Sequence, residues 1–109
     1  MSDYIINISE DFSRNPGARY ISDGKYSGEA FLNDILEPTF LKAKSENVKL
    51  RILLDNVIGY PASFVSGSFG VLSLKYGSEI VLNHIVLESE LNPARVEKII
   101  YEIQNPTSK

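Results

Sequence analysis

Three runs of apolar residues along the chain predict β-strands. Residues 4–8 form a short β-branched and aromatic run, and residues 48–54 alternate apolar with polar side chains before the run becomes wholly apolar. Residues 79–87 form a third apolar run, which contains His84. Runs of this length and composition are typical of strands in a packed sheet.

A fourth strand is predicted between two turn signals near the amino terminus. The asparagine, proline and glycine at residues 15–17 form one signal, and the serine, aspartate and glycine at residues 22–24 form the other. The apolar stretch at residues 18–21 lies between them. We therefore expect this stretch to return along the first strand as a hairpin.

Apolar residues at spacings of three and four predict three amphipathic helices. The first begins after Ser27, whose hydroxyl suits an N-cap, and ends by Asn47. Pro38 lies inside it, and because proline removes a backbone donor and crowds the preceding turn, we expect the helix to kink or divide there. The second helix begins near Ser63 and is closed by Gly77.

The third predicted helix is signalled at both ends. Asn92 suits its N-cap, Pro93 its first helical position, and Pro106 its end. The predicted order is ββαβαβα, which favours an α/β fold with a small mixed sheet of about four strands and helices packed against it. We expect a single domain over residues 1–109, with residues 105–109 as a frayed tail.

Composition narrows the classes of function. The 109 residues include no cysteine, which excludes disulfides, thiolate metal sites and cysteine nucleophiles. Eleven basic against fourteen acidic residues give a net charge of −3, so we expect no nucleic-acid partner. No apolar run is long enough to span a membrane and the amino terminus does not resemble a signal peptide, so we expect a cytoplasmic protein with no membrane partner.

The strongest candidate for a functional site is the stretch of residues 55–70, which leads from the predicted strand at residues 48–54 into the second predicted helix. Gly67 and Gly70 fall inside the predicted helix, where each costs about 1 kcal/mol relative to alanine. One interpretation is close packing against a neighbouring element. The other is a binding site, because the turn from a parallel strand into a helix presents free backbone N–H groups to an anion or a phosphorylated side chain. The sequence leaves both interpretations open.

Catalytic motifs are absent from this stretch. It lacks the lysine of a P-loop, the spacing of a dinucleotide fingerprint and the flanking glycines of a nucleophile elbow. His84 is the single histidine, and no ligand spacing indicates a metal. We therefore expect no enzyme activity, no metal and no cofactor. Arg19 and Lys25, beside the early turns, form a candidate anion-binding lip, although ordinary surface charge explains them as well.

Several pieces of the chain carry a family resemblance through their joint spacing. They are residues 15–20, residues 27–31 with 35–38, residues 54–55, and the loop into residues 63–64 with 69–70. Together they resemble a bacterial STAS-like family of unknown function, related to the domain shared by sulfate transporters and anti-sigma factor antagonists. The resemblance covers about residues 12–76. It implies a small mixed sheet with helices on one face, in agreement with the predicted order of elements.

The resemblance also implies a phosphorylation switch at the start of the helix after the central strand. In the antagonists, a histidine-kinase-like ATPase phosphorylates a serine there, and the motif around that serine is similar to residues 66–72. The alignment places the phosphoacceptor on Gly67, which has no hydroxyl. Three alternatives follow. The phosphoacceptor is Ser66 or Ser68 after a shift of one residue, or it is Ser63 at the helix start. In the third alternative the switch is absent and only a partner surface remains. A phosphate would add negative charge that the helix N-terminus tolerates and an acidic or apolar partner does not.

The implied function is a non-enzymatic regulatory domain that docks a histidine-kinase-like ATPase or another signalling protein. We expect docking through Gly59, Tyr60, Pro61, Phe64 and Gly67. The alternative is a small-molecule or nucleotide-binding module at the same strand-to-helix junction. A concave surface would favour the ligand, and a convex apolar patch the protein partner. An exposed edge strand permits a homodimer by strand pairing, which nothing in the sequence requires.

Overall fold

The structure is a computed structural model that describes residues 2–107. Three strands form one parallel sheet in this part of the chain, in the order β1-β2-β3 with β2 in the centre. The strands are β1 (Tyr4–Asn7), β2 (Leu50–Leu53) and β3 (Ile85–Glu88). The register places Ile5, Arg51 and Val86 side by side. Because a tight turn cannot join parallel neighbours, helical crossovers connect them.

Each of the two crossovers contains a helix in which a π-helical turn interrupts the α-helix. The helices are α1 (Ile8–Asp11), α2 (Gly28–Phe31), α3 (Glu37–Glu46), α4 (Ala62–Val65), α5 (Val71–Tyr76), α6 (Ser78–His84) and α7 (Ala94–Gln104), with a short 3-10 turn at Ile21–Asp23. A π-helical turn at Leu32–Leu36 joins α2 to α3, and another at Ser66–Gly70 joins α4 to α5. Residues 28–46 are therefore one continuous segment, the first composite helix, and residues 62–76 form the second composite helix.

The ends of the first composite helix follow the predicted signals. Ser27 caps it, because its hydroxyl accepts a hydrogen bond from the backbone N–H of Ala30 at 3.1 Å. Asn47 ends it in a left-handed conformation with a φ of 58°. The π-helical turn interrupts the α-helix directly before Pro38, where the sequence predicts a kink or a division. The predicted cap and end are confirmed, and near Pro38 the α-helix is interrupted by a π-helical turn while the helical segment stays continuous.

The predicted hairpin strand at residues 18–21 is wrong. Ala18 has a left-handed φ of 71°, which an extended strand does not contain. The carbonyls of Ala18 and Arg19 accept hydrogen bonds from the N–H groups of Gly28 and Glu29, at 3.0 and 2.9 Å. This segment is therefore bonded to the first turn of α2 and not to β1. The α/β class holds, but the sheet has three parallel strands within residues 2–107 in place of a mixed sheet of about four.

The third predicted strand, at residues 79–87, is helical over most of its length. α6 occupies Ser78–His84, and only Ile85–Glu88 is extended. Val81 is fully buried on the inner side of this helix. Packing against the core therefore outweighs the strand preference of the β-branched residues, which is weak and depends on context. His84 lies at the end of a helix and not within a strand.

The start of α7 differs in detail from the prediction. Pro93 directly precedes the first residue of α7, one position earlier than predicted. Asn92 accepts the N–H of Arg95 through its backbone carbonyl at 3.0 Å. The predicted cap of this helix by the Asn92 side chain is therefore wrong.

Residues 105–107 follow the end of α7 and are bonded back to it. The helix ends at Gln104, and the N–H of Thr107 donates to the carboxylate of Glu102 at 2.8 Å. The predicted frayed tail covers residues 105–109, of which residues 108 and 109 lie outside the described part of the chain.

The sheet is covered by helices on one face. Ile6 of β1 is 3% exposed and lies in the core, whereas Ile5 and Val86 on the opposite face are 53% and 39% exposed. Arg51 and Glu88 also lie on the open face, where they form an ion pair with Nε and Oε2 at 2.6 Å. Four fully buried phenylalanines form the centre of the core on the covered face. They are Phe31, Phe40, Phe64 and Phe69.

Candidate functional site

Two loops meet at the carboxyl end of the sheet, and together we call them the carboxyl-end surface. They are residues 55–61, which follow β2, and residues 89–93, which follow β3. The carboxylate of Asp55 joins them, because it accepts hydrogen bonds from the Ser89 hydroxyl at 2.7 Å and the Glu90 N–H at 2.8 Å. These donors, the Ser89 hydroxyl foremost, hold the pKa of Asp55 below its ordinary value. Asp55 is therefore an ionised bridge between the loops.

Helix α7 fixes the first of these loops through two basic side chains. The guanidinium of Arg95 donates to the carbonyls of Val57 at 2.8 Å and Ile58 at 3.0 Å, and it lies 5.2 Å from the centre of the Tyr60 ring. The ammonium of Lys98 donates to the carbonyl of Tyr60. Both cations are already bonded to backbone carbonyls, which weakens the alternative of an anionic ligand at this strand-to-helix junction.

The structure corrects the role predicted for the two aromatic residues of the junction. Tyr60 is 4% exposed, and its hydroxyl donates to the carbonyl of Leu54 at 2.8 Å. Burial raises the pKa of the Tyr60 hydroxyl. Phe64 is fully buried, with its ring 6.2 Å from that of Tyr60. Neither side chain is available to a partner, because both belong to the core.

The exposed apolar side chains of the carboxyl-end surface are two that the sequence analysis missed. Ile58 is 76% exposed and Leu91 is 75% exposed, one on each loop. Leu91 is an isolated aliphatic residue among polar neighbours, and that isolation is the signal that could have identified it, whereas Ile58 directly follows Val57 and no local signal separates the two. Of the residues predicted to dock a partner, Gly59 and Pro61 keep accessible surface beside Ile58.

The three candidate phosphoacceptors lie in different environments. Ser66 is 3% exposed and Ser68 is fully buried, in the π-helical turn of the second composite helix. The Ser68 hydroxyl donates to the carbonyl of Phe64 at 2.7 Å. A kinase must bind the hydroxyl it modifies, so the fold removes Ser66 and Ser68 from consideration. Ser63 is partly exposed and lies in the first turn of this helix.

The glycines of the second composite helix are positions of close packing. A Cβ atom at Gly67 would lie 3.0 Å from the carbonyl oxygen of Arg19 and 3.1 Å from its Cγ. A Cβ atom at Gly70 would lie 2.7 Å from a carboxylate oxygen of Glu102 on α7. The backbone of Arg19 would have to shift slightly to admit a side chain at Gly67, and the Glu102 carboxylate would have to rotate away to admit one at Gly70. These contacts support the packing interpretation, and Gly67 is buried and not part of a partner surface.

The two basic residues of the early turns are separated in the structure. Arg19 lines a cavity of about 320 Å³ together with Gly67. Lys25 lies outside this lining, with its ammonium 5.4 Å from the centre of the Tyr26 ring. The predicted lip that combines the two residues is therefore replaced by a cavity with Arg19 at its edge.

The single histidine, His84, packs against an aromatic residue of the core. The rings of His84 and Phe40 are nearly perpendicular, with 6.3 Å between their centres. Residues 2–107 contain no group of three or more histidine and carboxylate side chains placed to hold a metal ion. Among the helices of the same residues, none has the length and apolar character needed to cross a membrane.

Comparison of the chain with models of protein families, with curated proteins and with solved structures finds no match. The STAS-like resemblance accordingly stays a prediction.

Proposed function

We propose that this chain is a non-enzymatic interaction domain that docks a signalling protein through its carboxyl-end surface. The observation that carries the proposal is the exposure of Ile58 and Leu91, at 76% and 75%, on loops that are held in place by hydrogen bonds. Isolated apolar side chains on a surface need no explanation by themselves. Two of them on adjoining, firmly bonded loops make a small apolar site for a partner.

The bonding of the loops supports this proposal through the entropy of association. The guanidinium of Arg95 donates a hydrogen bond to the carbonyl of Ile58, and the N–H of Leu91 donates one to the carboxylate of Asp55 at 3.3 Å. A side chain on an ordered loop loses less conformational freedom on binding than one on a mobile loop. The two aliphatic side chains are therefore presented in a conformation that suits binding.

The partner that the family resemblance implies is a histidine-kinase-like ATPase. The test compares wild type with an Ile58→Ser, Leu91→Ser double variant, each used to capture proteins from lysate of the source organism, with Leu41→Ser as the control. Leu41 is 41% exposed on α3, away from the carboxyl-end surface. We expect an ATPase of this class to bind wild type and the control variant and to be lost from the double variant.

The captured ATPase is then purified and titrated against the three proteins by calorimetry. Loss of two buried aliphatic side chains from an interface is expected to weaken binding by about tenfold or more. Equal affinity for wild type and the double variant would place the interface elsewhere and contradict the proposal. Failure to capture any ATPase of this class with the wild-type protein would contradict the prediction that the partner is a histidine-kinase-like ATPase.

We further propose Ser63 as the residue through which phosphorylation controls this surface. It is the accessible serine among the three candidates, and it lies two residues after Pro61 in the loop. A phosphate there carries a charge of about −1.5 to −2 beside an apolar docking site. Ser63→Asp is expected to weaken partner binding by calorimetry while Ser63→Ala leaves it unchanged, and an equal effect of both variants would show that the residue has only a packing role.

A further inference from the structure

A cavity between the two composite helices is independent of the carboxyl-end surface. Its volume is about 320 Å³, at the lower end of the range for small-ligand pockets. Leu32 of the first composite helix and Val71 and Leu74 of the second give it an apolar wall, and Tyr20 and Arg19 come from the preceding loop. Apolar walls with a few polar groups at one side are typical of binding sites for small molecules.

The cavity depends on the close approach of the loop to Gly67. The backbone of Arg19 lies against this glycine, so that a Cβ atom at residue 67 would lie 3.0 Å from the Arg19 carbonyl oxygen and push the loop slightly outward. The same loop is bonded to the first composite helix, since the Arg19 carbonyl accepts the N–H of Glu29 at 2.9 Å. The edge of the cavity that carries Arg19 is therefore held by both helices.

Among the charged residues of the described range 2–107 around the cavity, one cation has no partner. The carboxylate of Glu29 accepts a hydrogen bond from the N–H of Ile21 at 2.8 Å, and Lys75 forms an ion pair with Glu37 at 2.6 Å. Within residues 2–107, the guanidinium of Arg19 has neither an ion pair nor a hydrogen bond. A guanidinium offers paired donors that match the two oxygens of a carboxylate.

We propose that this cavity binds a small amphipathic carboxylate, with the carboxylate group on Arg19 and an aromatic or aliphatic group against Leu32, Val71 and Leu74. The charge requirement follows from Arg19, and the size requirement follows from the cavity volume. The site differs in place and in chemistry from the surface that docks a protein.

The test is a titration followed by amide chemical shifts, with 3-phenylpropanoate as the probe and 3-phenylpropanamide as its uncharged counterpart. We expect saturable shifts at Gly67 and Val71 with a dissociation constant of about 1 mM or below. The amide is expected to bind about tenfold more weakly, because it cannot make the charge-assisted hydrogen bonds to Arg19.

Two variants with a matched control locate the site. Arg19→Gln removes the charge and is expected to weaken binding of 3-phenylpropanoate by about tenfold, whereas Lys25→Gln removes a nearby exposed charge outside the cavity and leaves binding unchanged. Leu74→Asp places a carboxylate at a position that is 52% exposed and is expected to abolish binding without unfolding the protein. The amide spectrum of each variant confirms that it is folded.

Either of two results would overturn the proposal. One is the absence of saturable shifts with both 3-phenylpropanoate and octanoate at about 10 mM, where a ligand of the expected affinity is bound. The other is unchanged binding by folded Arg19→Gln and Leu74→Asp proteins. Neither result bears on the carboxyl-end surface, which the Ile58→Ser, Leu91→Ser variant tests separately.

Discussion

Arg95 is the side chain that does most to hold the loop after the central strand. Its guanidinium contacts the carbonyls of Leu54, Val57 and Ile58, at 3.4, 2.8 and 3.0 Å. We expect Arg95→Met to lower the free energy of unfolding by about 2 kcal/mol, because hydrogen bonds to a charged group contribute more than neutral ones. Urea denaturation measures this change, and Lys44→Met, an exposed position at the end of α3, serves as the control. If Arg95→Met lowered the free energy of unfolding no more than Lys44→Met does, the loop would be stable without the Arg95 hydrogen bonds.

Gly28 is the glycine that tolerates a side chain least. A Cβ atom there would lie 2.5 Å from the carbonyl oxygen of Phe64 and 2.9 Å from the backbone of Gly67. Both neighbours are backbone atoms of the second composite helix and cannot rotate away. Gly28→Ala is therefore expected to lower the melting temperature and to cost about 3 kcal/mol, the upper part of the range for overpacked cores.

Gly59→Ala is the matched control for this substitution. No atom lies within 4 Å of a Cβ at Gly59, and its φ is not left-handed. Alanine there is expected to leave stability unchanged or to raise it by about 0.5 kcal/mol, because it restricts the unfolded chain. If thermal denaturation gave the same loss for Gly28→Ala and Gly59→Ala, the close approach of the two composite helices would be refuted.

Within residues 2–107, one ion pair joins the two composite helices. Glu37 of α3 accepts hydrogen bonds from the ammonium of Lys75 and the hydroxyl of Tyr76, both at 2.6 Å. The Lys75 ammonium is the main reason that the pKa of Glu37 is lowered, with the Tyr76 hydroxyl next. The folded state therefore favours the ionised carboxylate more than the unfolded state does.

The sign of the resulting pH dependence follows from that lowered pKa. The stabilisation by Glu37 is fully present above its ordinary pKa of 4.5 and is lost as the pH falls through the lower pKa of the folded state. We expect Glu37→Gln to be less stable than wild type at pH 7, and the difference to shrink in acid. Urea denaturation at pH 7 and at a pH below the ordinary pKa of glutamate measures this difference in stability. Asp34→Asn, at an exposed position of the first composite helix, is the control. A difference that stays constant with pH would contradict the role of this ion pair.

Elements whose signals are local could be predicted from the sequence. The cap at Ser27, the helix end at Asn47 and an interruption near Pro38 depend on residues within one or two turns, and the structure has all three. The segment at 78–84 was not predictable in this way. Its β-branched residues favour a strand locally, and the burial of Val81 in a helical conformation is a tertiary contact that outweighs that preference.

The candidate site was predictable in its place but not in its side chains. The loop after β2 is indicated by its glycine and proline residues, and it does lie at the carboxyl end of the sheet. The burial of Tyr60 and the exposure of Ile58 depend on Arg95, which is 35 or more residues away along the chain. No local pattern reports which of two neighbouring apolar residues faces the core.

The sheet has one packed face and one open face. Ile6→Ala, on the packed face, is expected to lower the free energy of unfolding by about 3 kcal/mol, because it leaves a cavity in the core. Ile5→Ala, at the adjacent residue on the open face, is expected to change it by about 0.5 kcal/mol or less. Guanidinium denaturation of the two variants measures the contrast, and equal losses would show that another surface covers the open face.

The spatial order of the strands has a consequence for synthesis on the ribosome. The order β1-β2-β3 is also the order in which the strands leave the exit tunnel. Each new strand therefore joins the edge that the previous one exposes, and none has to be inserted between two strands already paired. Domains that fold as units from the amino terminus benefit from such an order. The growing chain can extend its sheet one strand at a time. Helix α7 is synthesised last, and Arg95 on this helix then bonds the loop after β2.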